Sequence, residues 1–518
     1  MFNMLKNNKG IALIVVYILT SVLMVLGAAF FWNSFNENKL TQIDKYSMQA
    51  FAVAEAGIER TILDFLDEFQ DTETNNQDPT DLIINGWETS ETPDEDGFYE
   101  IAYNNTSVGN EGGSYVIGYC PVTDNDNHAR IRSTGTVMNV SRTIEVYITL
   151  DNLNIWDNAI FAGGGAVVGS VINGNVDIRG SVHILGDGYD SDEVVVNFEG
   201  GGNIGNNYED ISDDLADIVP DLPTTMVNDI EVETLNAKLR VKVGLVDLDG
   251  AAQVGDDNDD ENSVKETMDA VYSNDGFGDP SEPPSHDDTE KVYSDNGTSQ
   301  GYDLGDSVEF PSMDDEYGSY ASYWDFLDDI SDSVVVLTNE YEGITPGDSI
   351  SRIESDDGTS YIELVQDPTN SKRSILQIQG MVYITDENNF SCSEHGNKRD
   401  IYYEGVGSII VSGNVSIGTD FRPNGAGSFP TNIIGFMTDE TIEFTNSQID
   451  VAGLFYAETK IESSFQTEVA GTFVTNQFDM SAQVPSIYQV PDTLNSMPPN
   501  MIGNDSTWVT TIVAWIEL

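Results

Sequence analysis

From Gly10 to Trp32 the chain runs without a charged residue. This exceeds the ~20 apolar residues that an α-helix needs to cross a bilayer. It comes after a short polar stretch carrying Lys6 and Lys9 and no acid, the bias that keeps an N-terminus cytoplasmic and exports the chain beyond the span. A secretory signal peptide would have a shorter apolar core and small residues at a cleavage site; Ala28 and Ala29 make only a weak one. The helical pattern then continues. No Pro or Gly interrupts 33–56, and Ile58, Ile62, Phe65, Leu66 and Phe69 recur at helical spacing, with Glu59, Arg60, Asp64 and Asp67 between them. A helix from about Ile11 to Phe69 would be on the order of 85–90 Å long. Its first third is apolar all round, whereas its last third has one apolar stripe that must lie on a globular domain.

The charge balance constrains the region beyond the helix. Among 518 residues, 89 Asp and Glu face 21 Lys and Arg, a net charge of -68. Such a surface repels phosphate backbones and anionic lipid head groups, so nucleic acid is excluded as a partner. The acidity has three readings: adaptation to high salt, sites for divalent cations, or plain solubility. Self-repulsion of this size is screened by salt, which should stabilise the protein. Cys120 and Cys392 are the only cysteines, too few for a disulfide framework or a four-cysteine zinc site. Outside the cytoplasm they could pair and join the N-terminal region to the C-terminal one, if their Cα atoms come within about 7 Å; two unrelated small side chains are the alternative.

The junction Lys9-Gly10-Ile11-Ala12-Leu13-Ile14-Val15-Val16, the apolar run, and the later Ala52-Val53-Ala54-Glu55-Ala56-Gly57-Ile58-Glu59 together resemble the N-terminal region of PilX-type minor pilins and other type IV pilin-like proteins, over about residues 1–70. The resemblance implies that a prepilin peptidase cuts after Gly10, that Ile11 becomes the mature N-terminus and a site of methylation, and that the helix packs among other pilin-like subunits, with Glu55 and Gly57 in the packing segment. It further implies an inner-membrane, single-pass protein with an exported domain, served by pilus assembly machinery. Major pilins resemble one another in a Glu at the fifth mature position that neutralises a neighbour's N-terminal amine; here that position is Val15. A buried, uncompensated amine is costly. The departure is shared with tip-located minor pseudopilins of the type II secretion K type, and points to a tip, initiating or low-abundance subunit. An ordinary single-span anchor that is never cut or polymerised is the alternative.

The exported region reads as β structure. Residues 71–96 are acidic and Pro-containing, a linker or long loop. Strand character appears next in Phe98–Tyr103, Ser114–Tyr119, Ala129–Ser133 and Thr143–Leu150, which predicts an antiparallel sheet on the helix stripe, ending near residue 150. Beyond Trp156, short β-branched and aromatic runs are punctuated by Gly. Gly174-Asn175-Val176-Asp177-Ile178 and Gly180-Ser181-Val182-His183-Ile184 resemble Gly413-Asn414-Val415-Ser416-Ile417, and Gly435, Gly453 and Gly471 recur every 18 residues. Such a period predicts rungs of a β-solenoid, or β-helix; an irregular sandwich with coincidental spacing is the alternative.

The predicted fold class is therefore α+β and mostly β. Residues 1–10 are a leader, 11–70 a long helix with a transmembrane segment at 11–32, and 71–150 a small β subdomain. Residues 151–495 form a Gly-rich solenoid-like domain with an acidic insertion at about 187–370, and 496–518 a closing strand. Within the insertion, Gly250 to Gln300 holds 14 Asp and Glu against Lys265 and Lys291. Tyr320 to Leu337 is more apolar and should pack back as a short helix and strand.

The residues offer little chemistry. His128, His183, His286 and His395 lack metal-ligand spacing, and no phosphate-cradling loop or nucleophile elbow is present. A polysaccharide-acting β-helix enzyme needs cations or Lys and Arg to hold an acidic sugar, and basic residues and His are scarce here, at 21 Lys and Arg and 4 His. The expectation is therefore a structural or adhesive protein, not an enzyme, with a membrane-tethered surface binding module as the other reading. Calcium is the one cofactor left open. Asp187, Asp190 and Asp192, and separately Asp94 and Asp96, place hard oxygens around a Gly turn, although neither matches the twelve-residue helix-loop-helix pattern.

Overall fold

The computed structural model describes residues 8–69, 89–90, 92–103, 106–108, 112–121, 128–164, 170–198, 200–227, 230–258, 263–278, 288–297, 308–394, 396, 400–463, 465–480, 485–503 and 508–518. The leader before Asn8 and most of the linker at 71–96 lie outside them. The chain divides into two compact units, 1–152 with 507–518, and 153–506.

In the first unit a continuous helix runs from Asn8 to Phe69, a span of about 90 Å at 1.5 Å per residue. Its second half seats on an antiparallel sheet of Tyr99–Ile101, Gly113–Pro121, His128–Val137, Val140–Asn152 and Trp508–Glu517, in that spatial order. Period-two alternation sends one face to the helix. Tyr115, Ile117, Tyr119, Ala129, Ile131, Ile144, Val146 and Ile148 form a core with Ala50, Val53, Ala54, Ile58 and Phe65. The hairpin between the third and fourth strands turns at Met138 and Asn139, both left-handed at φ 48° and 68°, the backbone that a two-residue hairpin demands. The strand predicted near the C-terminus forms at Trp508–Glu517 and pairs with Val140–Asn152. It belongs to this sheet, so the whole second unit is inserted in the chain between two neighbouring strands of the first.

The second unit is a parallel solenoid whose coils stack three inward columns. One column, traced from coil to coil by strand register, reads Val335, Val382, Ile409, Phe436, Phe455, Phe473, Ile160, Val182, Leu239, Val271, every member buried. The aromatic members touch, with Phe436 and Phe455 stacked at 5.8 Å and Phe455 and Phe473 at 5.3 Å; burying each ring contributes about 1.5–3 kcal/mol. A second column runs Phe390, Val415, Ile442, Ile461, Phe478, Ile172, Val196, Val246. The third runs Phe421, Val451, Val469, Ile487, Ile178, Ile204, Val254.

These columns show that stacking order is not chain order. The coil begun at Ile160 lies mid-stack, directly on the coil begun at Thr467. From there the chain winds outward through Val182–Asp187, Lys238–Val241 and Ala270–Ser273. It restarts at the far end with Val334–Leu337 and winds back to the middle. Residues 308–333 connect the ends along the stack: Phe310 stacks on Phe161 and Tyr456, Ser312 Oγ donates to Glu458 at 2.6 Å, and Trp324 of the short helix Tyr323–Asp329 lies 5.9 Å from Tyr383. Much of the acidic stretch 187–370 thus supplies coils of its own, at Val194–Phe198, Asn203–Gly205, Lys238–Val241, Leu245–Leu248 and Ala270–Ser273. Residues 259–262, 279–287 and 298–307 of that stretch lie outside the described residues.

The glycine period has a local cause. Gly453 and Gly471 are register partners, and a Cβ on Gly471 would sit 1.8 Å from the Gly453 carbonyl oxygen. Gly435 pairs with Leu454 instead, so the spacing of 18 holds for one step and slips by one residue at the other.

Candidate functional site

The long helix is the feature whose form most exceeds what folding needs. Its second half is locked to its own sheet by small residues. A Cβ on Gly57 would meet Ser133 Oγ at 2.5 Å and Ile117 Cδ1 at 2.8 Å, and one on Gly135 would meet the Ala50 carbonyl oxygen at 2.1 Å. With no side chain at these positions, helix and sheet backbones approach closely and Ala50 and Ala54 are fully buried. Phe65 closes the lower end against Tyr119 at 5.3 Å. Arg60 lies over the Tyr103 ring at 4.1 Å and donates to the Tyr115 hydroxyl at 2.9 Å, a hydrogen bond that raises its pKa. Burial pushes the Tyr103 phenol up to about 12.

The first half of the same helix has no such seat. Leu13 is 73% exposed, Val15 55%, Met24 79% and Phe30 73%, and every described side chain from Ala12 to Lys45 is exposed. This part is long and apolar enough to cross a membrane. A contiguous apolar surface of this size on a soluble domain marks a lipid or protein interface. Gly10 and Ile11 fall in the helix's first turn. Val15 belongs to the exposed half, and Glu55 and Gly57 to the docked half, Glu55 half-buried beside the seat.

The acidic clusters considered for calcium are placed differently from each other. Asp94 Oδ1 accepts from the backbone N–H of Asp96 and of Phe98, both at 2.9 Å; the bond from Phe98 is the main cause holding its carboxyl below the usual range. Asp94 and Asp96 lie 3.6 and 3.0 Å from Arg132, which stacks on Phe98 at 3.8 Å and pairs with Glu145 at 3.1 Å. These carboxylates fix a turn to the sheet. Asp187, Asp190 and Asp192 sit exposed at the end of Val182–Asp187 and on the turn after it, where the Asp190 N–H donates to Glu193. Among the described residues no group of three potential ligands is gathered for a metal.

Cys120 and Cys392, considered as a pair from the sequence, are each a free, buried thiol, one in each unit. Cys120 lies under Arg130, whose Nη2 is 3.2 Å from its sulfur. Cys392 is in the solenoid interior, where burial pushes the thiol up to about 12 and makes it inert to exchange. His183 is likewise a core residue, buried against Phe161 at 5.2 Å and held neutral by burial and by Arg240 and Lys242, with its pKa lowered to about 3. His286 and His395 lie outside the described residues. Sequence reading missed Gly135, Arg60 and Arg132 because their roles depend on strand register; the small-residue run Ala50 to Gly57 was the signal that a close contact existed.

No family model matches the chain, and no curated protein matches it. Among solved structures it is similar to the crystal structure of the competence-associated pilin ComZ from Thermus thermophilus, at 18% identity, over 91% of this chain and 97% of that one, with a TM-score of 0.51. At this identity the similarity is one of fold, and in this chain that fold comprises a long N-terminal apolar helix, a small antiparallel sheet and a large β-rich domain. This chain therefore has the fold of a pilin-like protein.

Proposed function

We propose that the chain is a minor subunit of a type IV pilus-like or type II secretion-like filament, PilX-like in its N-terminal region, with a structural or adhesive role and no catalytic one. The observation that carries this reading is the asymmetry of the helix, docked tightly to its own sheet over its second half and wholly exposed and apolar over its first. An isolated subunit gains nothing from such a surface in water. In a bilayer before assembly, and among the helices of other pilin-like subunits after it, the same surface is buried. Val15 at the fifth position after Gly10 supports a place at the tip or start of a filament, where no neighbouring amine needs a carboxylate. The inserted solenoid would then be the displayed part.

The test is the N-terminus of the protein taken from its native host, determined by mass spectrometry in membrane and sheared-filament fractions separately. The reading expects a chain beginning at Ile11 in the filament fraction. An intact Met1 confined to membranes would overturn it in favour of a membrane-tethered surface module.

A further inference from the structure

Among the described residues Lys265 is the only buried lysine, at 5% exposed, and two carboxylates hold it. Its Nζ touches Asp269 Oδ1 on one side and lies 2.8 Å from Asp295 Oδ2 on the other. One carboxylate would neutralise the ammonium, so the second is surplus to that task. Backbone bonds fix all three residues. The Lys265 N–H donates to the Glu233 carbonyl at 2.9 Å, the Asp269 N–H to that of Ala237 at 3.0 Å and the Asp295 N–H to that of Met268 at 3.0 Å. The side chains therefore meet at a point set by the stacking of the coil that carries Ala270–Ser273.

Asp269 is also held by its other oxygen. Oδ2 accepts from Asn206 Nδ2 at 3.1 Å and from the Thr234 hydroxyl at 3.3 Å, and both donors belong to fully buried residues. The backbone sets their orientation. Asn206 Oδ1 accepts from the Ala237 N–H at 2.8 Å, and the Thr234 oxygen accepts from the Asn236 N–H at 3.0 Å, which leaves its proton for Asp269. Two neutral donors aimed at one carboxylate oxygen stabilise the charge that gathers there when the carbon is attacked. Asp295 is placed as a base, with Oδ1 held by the Thr267 hydroxyl at 2.8 Å and Oδ2 on the lysine nitrogen.

We propose that Lys265 and Asp269 condense, without another protein, into an internal amide, and that Asp295 carries the proton. Asp295 takes one proton from the ammonium and frees the Nζ lone pair, which attacks Asp269 Cγ. A C–N bond forms and the C–Oδ1 bond breaks. Oδ1 leaves as water with two of the three ammonium protons, one of them returned by Asp295, and Oδ2 becomes the amide oxygen under Asn206 and Thr234. An ammonium and a carboxylate become one neutral group, Asp295 ends ionised as it began, and nothing is oxidised or reduced. Two features favour this product. Fixed contact replaces a chance encounter, with effective concentrations of about 10⁵ M or more for well-oriented groups, and the amide removes two charges that burial leaves poorly hydrated.

Mass spectrometry of the purified full-length protein tests this. The expected result is a chain lighter than its sequence by one water. Trypsin should fail to cut after Lys265, giving 243–291 as a single peptide that lacks one water and does not fragment between 265 and 269. A cyclic imide at Asp249-Gly250 or Asp275-Gly276 would lose the same mass but leave Lys265 cleavable. Complete cleavage after Lys265 overturns the proposal, and so does a bond to Asp295, which would carry 292–352 along with the peptide. Asp269→Ala should restore the cut at Lys265; a variant that still lacks the water and resists cleavage there overturns the proposal too. Asp295→Asn should slow the reaction about a hundredfold, leaving Lys265 cleavable in freshly purified protein, and linking as complete as in wild type overturns the role given to Asp295. If either variant does not fold, the wild-type peptide map decides alone.

Discussion

The two halves of the long helix share one backbone geometry and differ in what surrounds them. From Ala12 to Lys45 the described side chains are exposed and, up to Trp32, uncharged, whereas Ala50, Val53, Ala54, Ile58 and Phe65 are sealed under a sheet. The docked half is stabilised by its own subunit. The exposed half contributes almost nothing to that subunit's stability and derives its worth from an apolar environment supplied by something else. Helix propensity does not distinguish the halves; side-chain size does. Small residues at Ala50, Ala54 and Gly57 let one half approach its sheet, and large ones such as Leu23, Phe30 and Phe31 leave the other half covered in groups that no part of its own unit receives.

The strongest way to break this contrast is Gly135→Val. The new side chain would overlap the helix backbone at Ala50 and Ala54, forcing helix and sheet apart, and denaturant titration should show a loss of about 3 kcal/mol or more. Phe65→Ala, at the buried lower end, should cost about 3–5 kcal/mol by the same measurement.

Carboxylates shifted in opposite directions should also answer pH in opposite senses, which thermal melting of wild type and variants from pH 3 to 9 can separate. Asp94 in the first unit is held below the ordinary range by backbone N–H groups, so its contribution is present above that range and lost as pH falls through the lowered value. Asp420 and Asp450 in the second unit are raised to about 7 and about 6. Their contribution is complete in acid and lost as pH rises from about 4 towards 7. Asp420→Asn should flatten the second response and leave the first unchanged. Smallest of all is the effect of Leu23→Ala in detergent, within about 0.5 kcal/mol, because the side chain is exposed and lies outside the half of the helix that docks on the sheet.

Legibility in the sequence depends on which interactions are local. The helix over Ile11–Phe69, its change of character midway and the strands near 114–119, 129–133 and 143–150 all rest on charge gaps and short periods, and each is found where those patterns place it. The pairing of Trp508–Glu517 with Val140–Asn152 was not legible, since a strand's alternation does not name its partner. Nor was the stacking of the coil begun at Ile160 on the one begun at Thr467, because inward columns of Val, Ile and Phe are nearly interchangeable and any coil can stack on any other. The acidic stretch misled for a related reason. Only inward residues need be apolar, so Val194–Phe198 and Lys238–Val241 can serve as coils between strongly charged turns. For Cys120 and Cys392, a count of two carried no information on distance, and both are free.

The central claim, that the first half of the helix serves surroundings outside its own subunit, is tested most directly by a chain that begins at Asn33. The account predicts that this protein is recovered soluble without detergent and melts within about 2 °C of the full-length chain, a difference corresponding to less than about 1 kcal/mol. A large fall in melting temperature, or loss of the folded first unit, would contradict it by showing that Ala12 to Trp32 holds the subunit itself together.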